Sequence, residues 1–165
     1  MNLQRIVIIL AAIILISCAS REEKLERTKE KVDAMKESLA NIKGDNIYIN
    51  EPDSRNRISY YLIDDKISFI NEEIKTHSSH FINLYYYDNG KLIYLNSKGL
   101  DYQQTEEKFD KLAKNYSVYF NGTEILESAV IVNKAYVDLT DDEKNKILEY
   151  SSKIYNMSEE HLLNQ

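Results

Sequence analysis

Residues 85–95 read YYYDNGKLIYL, in which two aromatic and aliphatic runs flank a tight turn. Asn89-Gly90 between two such runs is the strongest short signal of a β-hairpin, because both residues tolerate the positive φ angles of a two-residue turn. The same pattern occurs on either side: residues 58–70 turn at Asp64-Asp65, and residues 116–127 turn at Asn121-Gly122. The sequence therefore predicts an antiparallel meander that is built largely of hairpins.

Three more stretches are assigned to strands. Residues 46–51 alternate apolar and polar side chains and are followed by a turn that contains the single proline. Residues 66–75 are ambiguous, because their three isoleucines also fit one face of a helix, but the parallel with the other hairpins favours a strand. Residues 130–132 and 135–137 predict a last strand or strand pair, interrupted at Asn133-Lys134.

Three stretches have the periodicity of helices. Residues 19–43 carry an apolar seam over 25–42, and this helix either lies on the domain, serves as a stalk or pairs with another helix. Residues 104–115 predict a second helix, with Thr105 as its N-cap. Residues 140–143 form a capping box, so a third helix begins there and runs to about Tyr155, with one further turn and a frayed tail.

The expected fold class is α+β: an N-terminal helix, then an antiparallel β-meander of hairpins with two or three helices packed on one face. Both faces of the strands are apolar or aromatic, so the second face would be a tyrosine-rich surface. Six tyrosines are expected to lie near one another as a binding face: Tyr60, Tyr61, Tyr85, Tyr87, Tyr94 and Tyr119. Tyrosine suits binding faces because it combines rigid area with a polar tip. The alternative is that tyrosine is simply a good strand former that tolerates half-burial.

The N-terminus predicts export from the cytoplasm. A short polar start with Arg5 precedes an unbroken apolar run of eleven residues, 6–16. In a helix this run covers roughly 16 Å, whereas a bilayer core is about 30 Å thick. The run is therefore too short to span a membrane comfortably, but it has the length of the apolar segment of a signal peptide.

Leu15-Ile16-Ser17-Cys18 resembles the lipobox of bacterial lipoproteins. The resemblance implies that a diacylglycerol is joined to the Cys18 thiol through a thioether and that cleavage then frees the Cys18 amine, which many bacteria also acylate. Two or more fatty chains, palmitate among them, are enough for stable anchoring. Cys18 is the only cysteine of the chain, so no disulfide is expected.

The lipobox resemblance also implies a cellular localisation and a domain organisation. The expected parts are a signal peptide at 1–17, a lipid anchor with a helical stalk at 18–45, and a single α+β domain at 46–165. Ala19 follows the lipidated cysteine. By analogy with enteric bacteria it favours the outer membrane if the envelope has two membranes; otherwise the address is the outer face of the cytoplasmic membrane. Residues 85–95 are also similar to MORN-like hairpin repeats, which implies no site.

The net charge argues against nucleic acid as a partner, and the histidines do not indicate a metal site. Loss of Arg5 with the signal peptide takes the net charge from −6 to −7, which argues against a nucleic-acid partner. His77 and His80 are considered as metal ligands, but no third ligand lies nearby in a stretch that is expected to be a polar loop. His161 is expected to be solvated in the tail. No metal or other cofactor is therefore expected.

No motif of an enzyme is present. The chain has no nucleophile elbow, phosphate-binding glycine loop or HExxH motif. The acidic pairs are expected at turns, helix starts or the tail: Glu72-Glu73, Glu106-Glu107, Asp141-Asp142 and Glu159-Glu160. The leading hypothesis is a non-enzymatic, membrane-anchored lipoprotein whose sheet face binds a protein, a peptide or another envelope component. The alternative is a structural envelope subunit that oligomerises through the 25–42 helix.

Overall fold

The structure, a computed structural model, describes residues 20–39, 45–51, 54–104 and 109–164. In chain order, one helix precedes eight strands and a second helix follows them. Helix α1 is Arg21–Leu39, and helix α2 is Asp141–Leu163. The strands are β1 Asp45–Glu51, β2 Ser54–Ile63, β3 Lys66–Thr76, β4 Ser79–Asp88, β5 Lys91–Gln104, β6 Phe109–Asn121, β7 Glu124–Val132 and β8 Ala135–Val137.

All eight strands form one antiparallel sheet, in which spatial order follows chain order. The predicted meander is therefore confirmed. Asp64-Asp65 and Asn89-Gly90 occupy their turns with positive φ angles at both residues, as does Asn133-Lys134 between β7 and β8. The third predicted hairpin turns one residue later than expected: Asn121 pairs with Glu124, so the turn residues are Gly122 and Thr123.

The structure assigns strands both to the ambiguous segment 66–75 and to residues of the predicted helix 104–115. Residues 66–75 lie in β3, as favoured. The predicted helix at 104–115 is wrong: Gln104 ends β5 and residues 109–115 belong to β6, while Thr105 and the pair Glu106-Glu107 lie outside the described residues. Strand β6 pairs with β5 on one side and β7 on the other, and this continuous ladder outweighs a local helical spacing.

The helices lie on opposite faces of the sheet, which corrects the expectation that they share one face. Tyr85 and Tyr87 belong to the core beneath α2, whereas Tyr86 packs with Val32 of α1. Successive residues of a strand point to opposite faces, so a strand that is aromatic throughout presents two apolar surfaces. Each surface excludes water only when a helix covers it.

Helix α1 is part of the folded unit. Val32 is fully buried against Tyr86 and Tyr94, and Met35 packs on the same cluster. The guanidinium of Arg21 donates to the carbonyl oxygens of Ile125 and Leu126, both at 3.1 Å, and so fixes the helix start on β7. The described part of the predicted stalk therefore lies on the sheet. Gly44, which follows the apolar seam and so predicts a left-handed C-cap for this helix, falls outside the described residues.

Helix α2 begins at the predicted capping box and ends eight residues later than expected. The Thr140 side chain accepts from the Glu143 amide at 3.3 Å, and the Glu143 carboxylate accepts from the Thr140 amide at 2.9 Å. Beyond Tyr155 the helix continues because it still has a core-facing side: Ser158 is fully buried, and Leu162 packs on the core. No helix in the described parts of the chain has the length and apolar character to cross a bilayer.

Candidate binding site

A polar row crosses the sheet face beneath α2. Glu72 of β3, Asn83 of β4 and Ser97 of β5 lie directly opposite one another in the register of the sheet, and Tyr116 of β6 continues the row. Residues opposite one another on antiparallel strands share a face, so their side chains meet. The Ser97 hydroxyl lies 2.6 Å from Asn83 Oδ1, and Asn83 Nδ2 lies 2.9 Å from Glu72 Oε2.

Glu72 is the centre of this row and is fully buried. Its Oε1 accepts from Asn56 Nδ2 at 2.7 Å and from the Tyr150 hydroxyl of α2 at 2.6 Å. Its Oε2 accepts from Asn83 and from the Tyr85 hydroxyl, the latter at 3.1 Å. A carboxylate that only accepts has about four lone-pair directions, and this set of donors occupies them. All four donors are neutral amide or hydroxyl groups.

A cavity of about 280 Å³ opens beside the Glu72 cluster, between α2 and strands β4 to β6. Its lining residues are Asn83, Tyr85, Leu95, Ser97 and Tyr116 from the sheet, with Glu143, Lys146, Ile147 and Tyr150 from α2. A second cavity, of about 320 Å³, is lined by Asn56, Ile74 and other residues, and Tyr150 lines it as well. Tyr150 thus joins the buried carboxylate to both cavities.

The hydroxyl groups of Tyr85 and Tyr87 act as hydrogen-bond donors. Burial, followed by the charge of Glu72, raises the pKa of Tyr85 far above its ordinary value. Burial likewise raises the pKa of Tyr87, whose hydroxyl donates to the Ser151 carbonyl of α2 at 2.8 Å. Because both Glu72 oxygens already accept two hydrogen bonds, the arrangement orients side chains around the cavity. This suits recognition of a ligand.

The six predicted binding tyrosines do not form one exposed surface. Tyr60, Tyr85 and Tyr87 are buried on the α2 face, at 2%, 3% and 1% exposure. The other three lie on the α1 face, in a chain of ring contacts that runs through Tyr61, Phe69, Tyr86, Tyr94 and Tyr119. The expectation of a single tyrosine-rich surface is therefore wrong in its geometry, because each face is covered by a helix. Of the six, Tyr85 lines the cavity.

The histidines lie apart from the cavity. His77 is exposed at the β3–β4 turn, and His80 lies in β4 with Nε2 3.0 Å from Glu73 Oε1. His161 is not in a solvated tail: it lies in the last turn of α2, with Nδ1 3.0 Å from the Tyr60 hydroxyl. Among the residues that the structure describes, no three His, Cys, Asp or Glu side chains group as a metal site would need.

The sequence prediction missed Glu72. The acidic pairs were expected at turns, helix starts or the tail, but Glu72-Glu73 lies within β3, where the two carboxylates point to opposite faces. Glu73 bonds with exposed partners, and the hydrogen bond from Lys75, with a further one from His80, lowers its pKa. Glu72 shares the inward phase of Ile70, which is also fully buried. The alternation of inward and outward residues along β3 could have revealed Glu72, because it places an acid in a core position.

Glu159-Glu160 also departs from expectation, because it lies within α2 and not in a tail. Asp141-Asp142 occupies the first turn of α2, where the helix dipole favours acids. Cys18 lies outside the described residues. Comparison with protein-family models, with curated proteins and with solved structures finds no match to this chain.

Proposed function

We propose that this protein is a lipid-anchored, non-enzymatic binding module of the bacterial cell envelope, which takes a small ligand into the cavity beneath α2. The anchor rests on the lipobox-like residues that end at Cys18. The observation that carries the binding role is the cavity itself, where three tyrosines meet a polar row that Glu72 holds in place.

The lining of the cavity favours a ligand with one flat apolar face and a polar edge. Tyr85, Tyr116 and Tyr150 offer rings, and Asn83 and Ser97 offer amide and hydroxyl groups beside them. Ligand pockets commonly have volumes of roughly 300–1,000 Å³. At about 280 Å³ this cavity is near the lower limit, so it suits a ligand with a single ring. A sugar ring or a small aromatic amide has this chemistry.

A structural envelope subunit is the alternative function. It would oligomerise through the 25–42 helix, but the apolar side of that helix packs on the sheet at Val32, Met35 and Leu39. Assembly through this seam would require α1 to leave the domain. Two exposed aromatic residues that a protein partner could reach lie on the outer strands, where Tyr48 and Tyr136 are 66% and 80% exposed.

The anchor is tested by labelling cells with palmitate. The native chain should carry the label, and a Cys18→Ala variant should not, because the thiol is the attachment point. Label on the variant, or its absence from the native chain, would contradict the proposed anchor.

The cavity is tested with a matched pair of tyrosine variants. Tyr116→Ala removes a lining ring, whereas Tyr48→Ala removes an exposed ring from β1. The ligands are the sugars and amino sugars of bacterial envelopes, with benzamide as a flat aromatic amide, and binding is measured by NMR shift perturbation. We expect at least one ligand to shift resonances of α2 and β4–β6, and Tyr116→Ala alone to abolish the shift. Binding that survives Tyr116→Ala, or no binding by the whole set, counts against this site.

A further inference from the structure

A groove lies on the face of the sheet opposite the two cavities, under the N-terminal half of α1. Its volume is about 250 Å³. The helix contributes Arg27, Thr28 and Lys31, the β4–β5 hairpin contributes Asp88, Lys91 and Ile93, and the β6–β7 hairpin contributes Phe120, Asn121 and Gly122. Gly122 has open space above it, since an added Cβ would meet no atom within 4 Å. The groove is thus a shallow site framed by two hairpin turns and one helix.

The groove is positive in an acidic protein. Three basic side chains and one acidic side chain line it, which gives a local charge of +2, whereas the chain as a whole carries −6. Lys31 bonds to Asp88 at 2.5 Å and so leaves Arg27 and Lys91 as the uncompensated charges of the lining. The nearby carboxylates of Glu124 and Glu127 already face Lys24 and Lys29, at 3.5 and 3.1 Å. A phosphate would balance this groove.

The position of the groove along the chain indicates where that phosphate comes from. Cys18 precedes Ser20 by two residues, and two extended residues reach about 7 Å. The contact of Arg21 with β7 fixes the helix start beside the β6–β7 turn. A lipid on Cys18 would therefore hold this end of the sheet at the bilayer surface. The acidic turn Asp64-Asp65 is two strand spacings from the β4–β5 turn, about 10 Å, and four from the β6–β7 turn, about 19 Å. Both distances exceed the screening length of about 8 Å at physiological salt.

We propose that this groove binds the phosphate of an anionic phospholipid headgroup, so that the anchored protein stands with its β4–β5 and β6–β7 turns against the bilayer. The inference rests on the proposed lipidation of Cys18. Strand β5 has fourteen residues and spans about 46 Å, so the opposite end of the sheet stands well away from the lipid.

The orientation is tested with full-length protein that cells have acylated, reconstituted in vesicles of phosphatidylcholine with or without phosphatidylglycerol. Acylation consumes the only native thiol, so one new cysteine can carry a fluorophore. Thr123→Cys places it at the β6–β7 turn, and Ser78→Cys places it at the β3–β4 turn on the opposite end. A quencher on the lipid headgroups reports proximity. We expect strong quenching at residue 123 in phosphatidylglycerol vesicles and little at residue 78.

Removal of charge tests the groove itself. A basic residue near an anionic membrane contributes about fivefold to the docked population. Arg27→Ala and Lys91→Ala should each lower that population by about fivefold in phosphatidylglycerol vesicles only, whereas Lys98→Ala, an exposed lysine farther along β5, should leave it unchanged. Equal quenching at both labelled positions, or quenching at residue 123 that Arg27→Ala and Lys91→Ala do not alter, would overturn the inference. Flotation with the vesicles and the mass of the Cys18 peptide measure acylation separately, so failure of the anchor is distinguished from failure of the groove.

Discussion

Glu72 shows how a single buried acid can organise one face of the protein. Each oxygen accepts two hydrogen bonds from neutral donors on β2, β4 and α2. Glu72→Gln keeps the shape but replaces one oxygen with an amide NH₂. That NH₂ faces one asparagine NH₂, which can only donate, and one tyrosine hydroxyl, which must turn to accept. We expect the free energy of unfolding to fall by about 1–3 kcal/mol, the cost of one unsatisfied buried group. Urea denaturation measures it.

The neighbouring residue supplies the control for Glu72. Glu73→Gln removes ion pairs with Arg57 and Lys75, whose side chains are 48% and 54% exposed. Exposed pairs contribute about 0–1 kcal/mol, so we expect a change within that range. Equal losses for the two variants would mean that the Glu72 hydrogen bonds add nothing specific to stability.

Gly99 is required by its cross-strand neighbour. It lies opposite Phe81, and a Cβ at residue 99 would approach the Phe81 ring to 2.0 Å. Gly99→Ala must therefore displace the ring, and we expect a loss of about 1–3 kcal/mol from overpacking. In a Phe81→Leu background the same substitution should cost markedly less. Gly122→Ala is the control: its positive φ of 62° makes it costly too, but in open space, so its cost should not change with Phe81.

At the scale of elements, the packing of α1 on the sheet depends on its buried residue Val32. Val32→Asp places a carboxylate between Tyr86 and Tyr94, and we expect it to cost about 3–5 kcal/mol and to release the helix. Trypsin should then cut rapidly at basic residues within α1. Ala34→Asp adds the same charge at an exposed position of the helix and should leave cleavage slow. Rapid cleavage of both variants, or of neither, would show that α1 is not held through Val32.

The elements that the sequence predicts well are those whose signal is local. Asn89-Gly90 specifies its own turn, and the Thr140 capping box specifies the start of α2, so both were found. Residues 109–115 were missed because their conformation is decided by pairing with β5 and β7, which a local periodicity does not contain. The burial of Glu72 was missed for a related reason: its donors come from three elements, β2, β4 and α2, that only the fold brings together.

At the scale of the whole molecule, helices on both faces of the sheet explain why the predicted tyrosines do not form an exposed surface. One face was expected to stay a tyrosine-rich surface, but both faces form cores, and the cavity remains where α2 and the sheet fit incompletely. The chain has thirteen tyrosines and no tryptophan, so ultraviolet absorbance reports tyrosine ionisation cleanly. Burial raises the pKa of six described tyrosines: Tyr60, Tyr85, Tyr86, Tyr87, Tyr119 and Tyr155.

This distribution predicts how stability depends on alkaline pH. A raised pKa means that folding favours the neutral phenol, so the stability from these groups is complete below the ordinary value of 10.0 and is lost as pH rises through the raised values. Tyr119, whose pKa burial raises to about 12, marks one point in that window. We expect the six tyrosines with raised pKa values to ionise together as the protein unfolds, at a pH above 10.0. In concentrated urea all thirteen should ionise in one step near pH 10. Tyr87→Phe should reduce the ionisation step that accompanies unfolding. Complete ionisation near pH 10 with circular dichroism unchanged would show that the two faces are open to water.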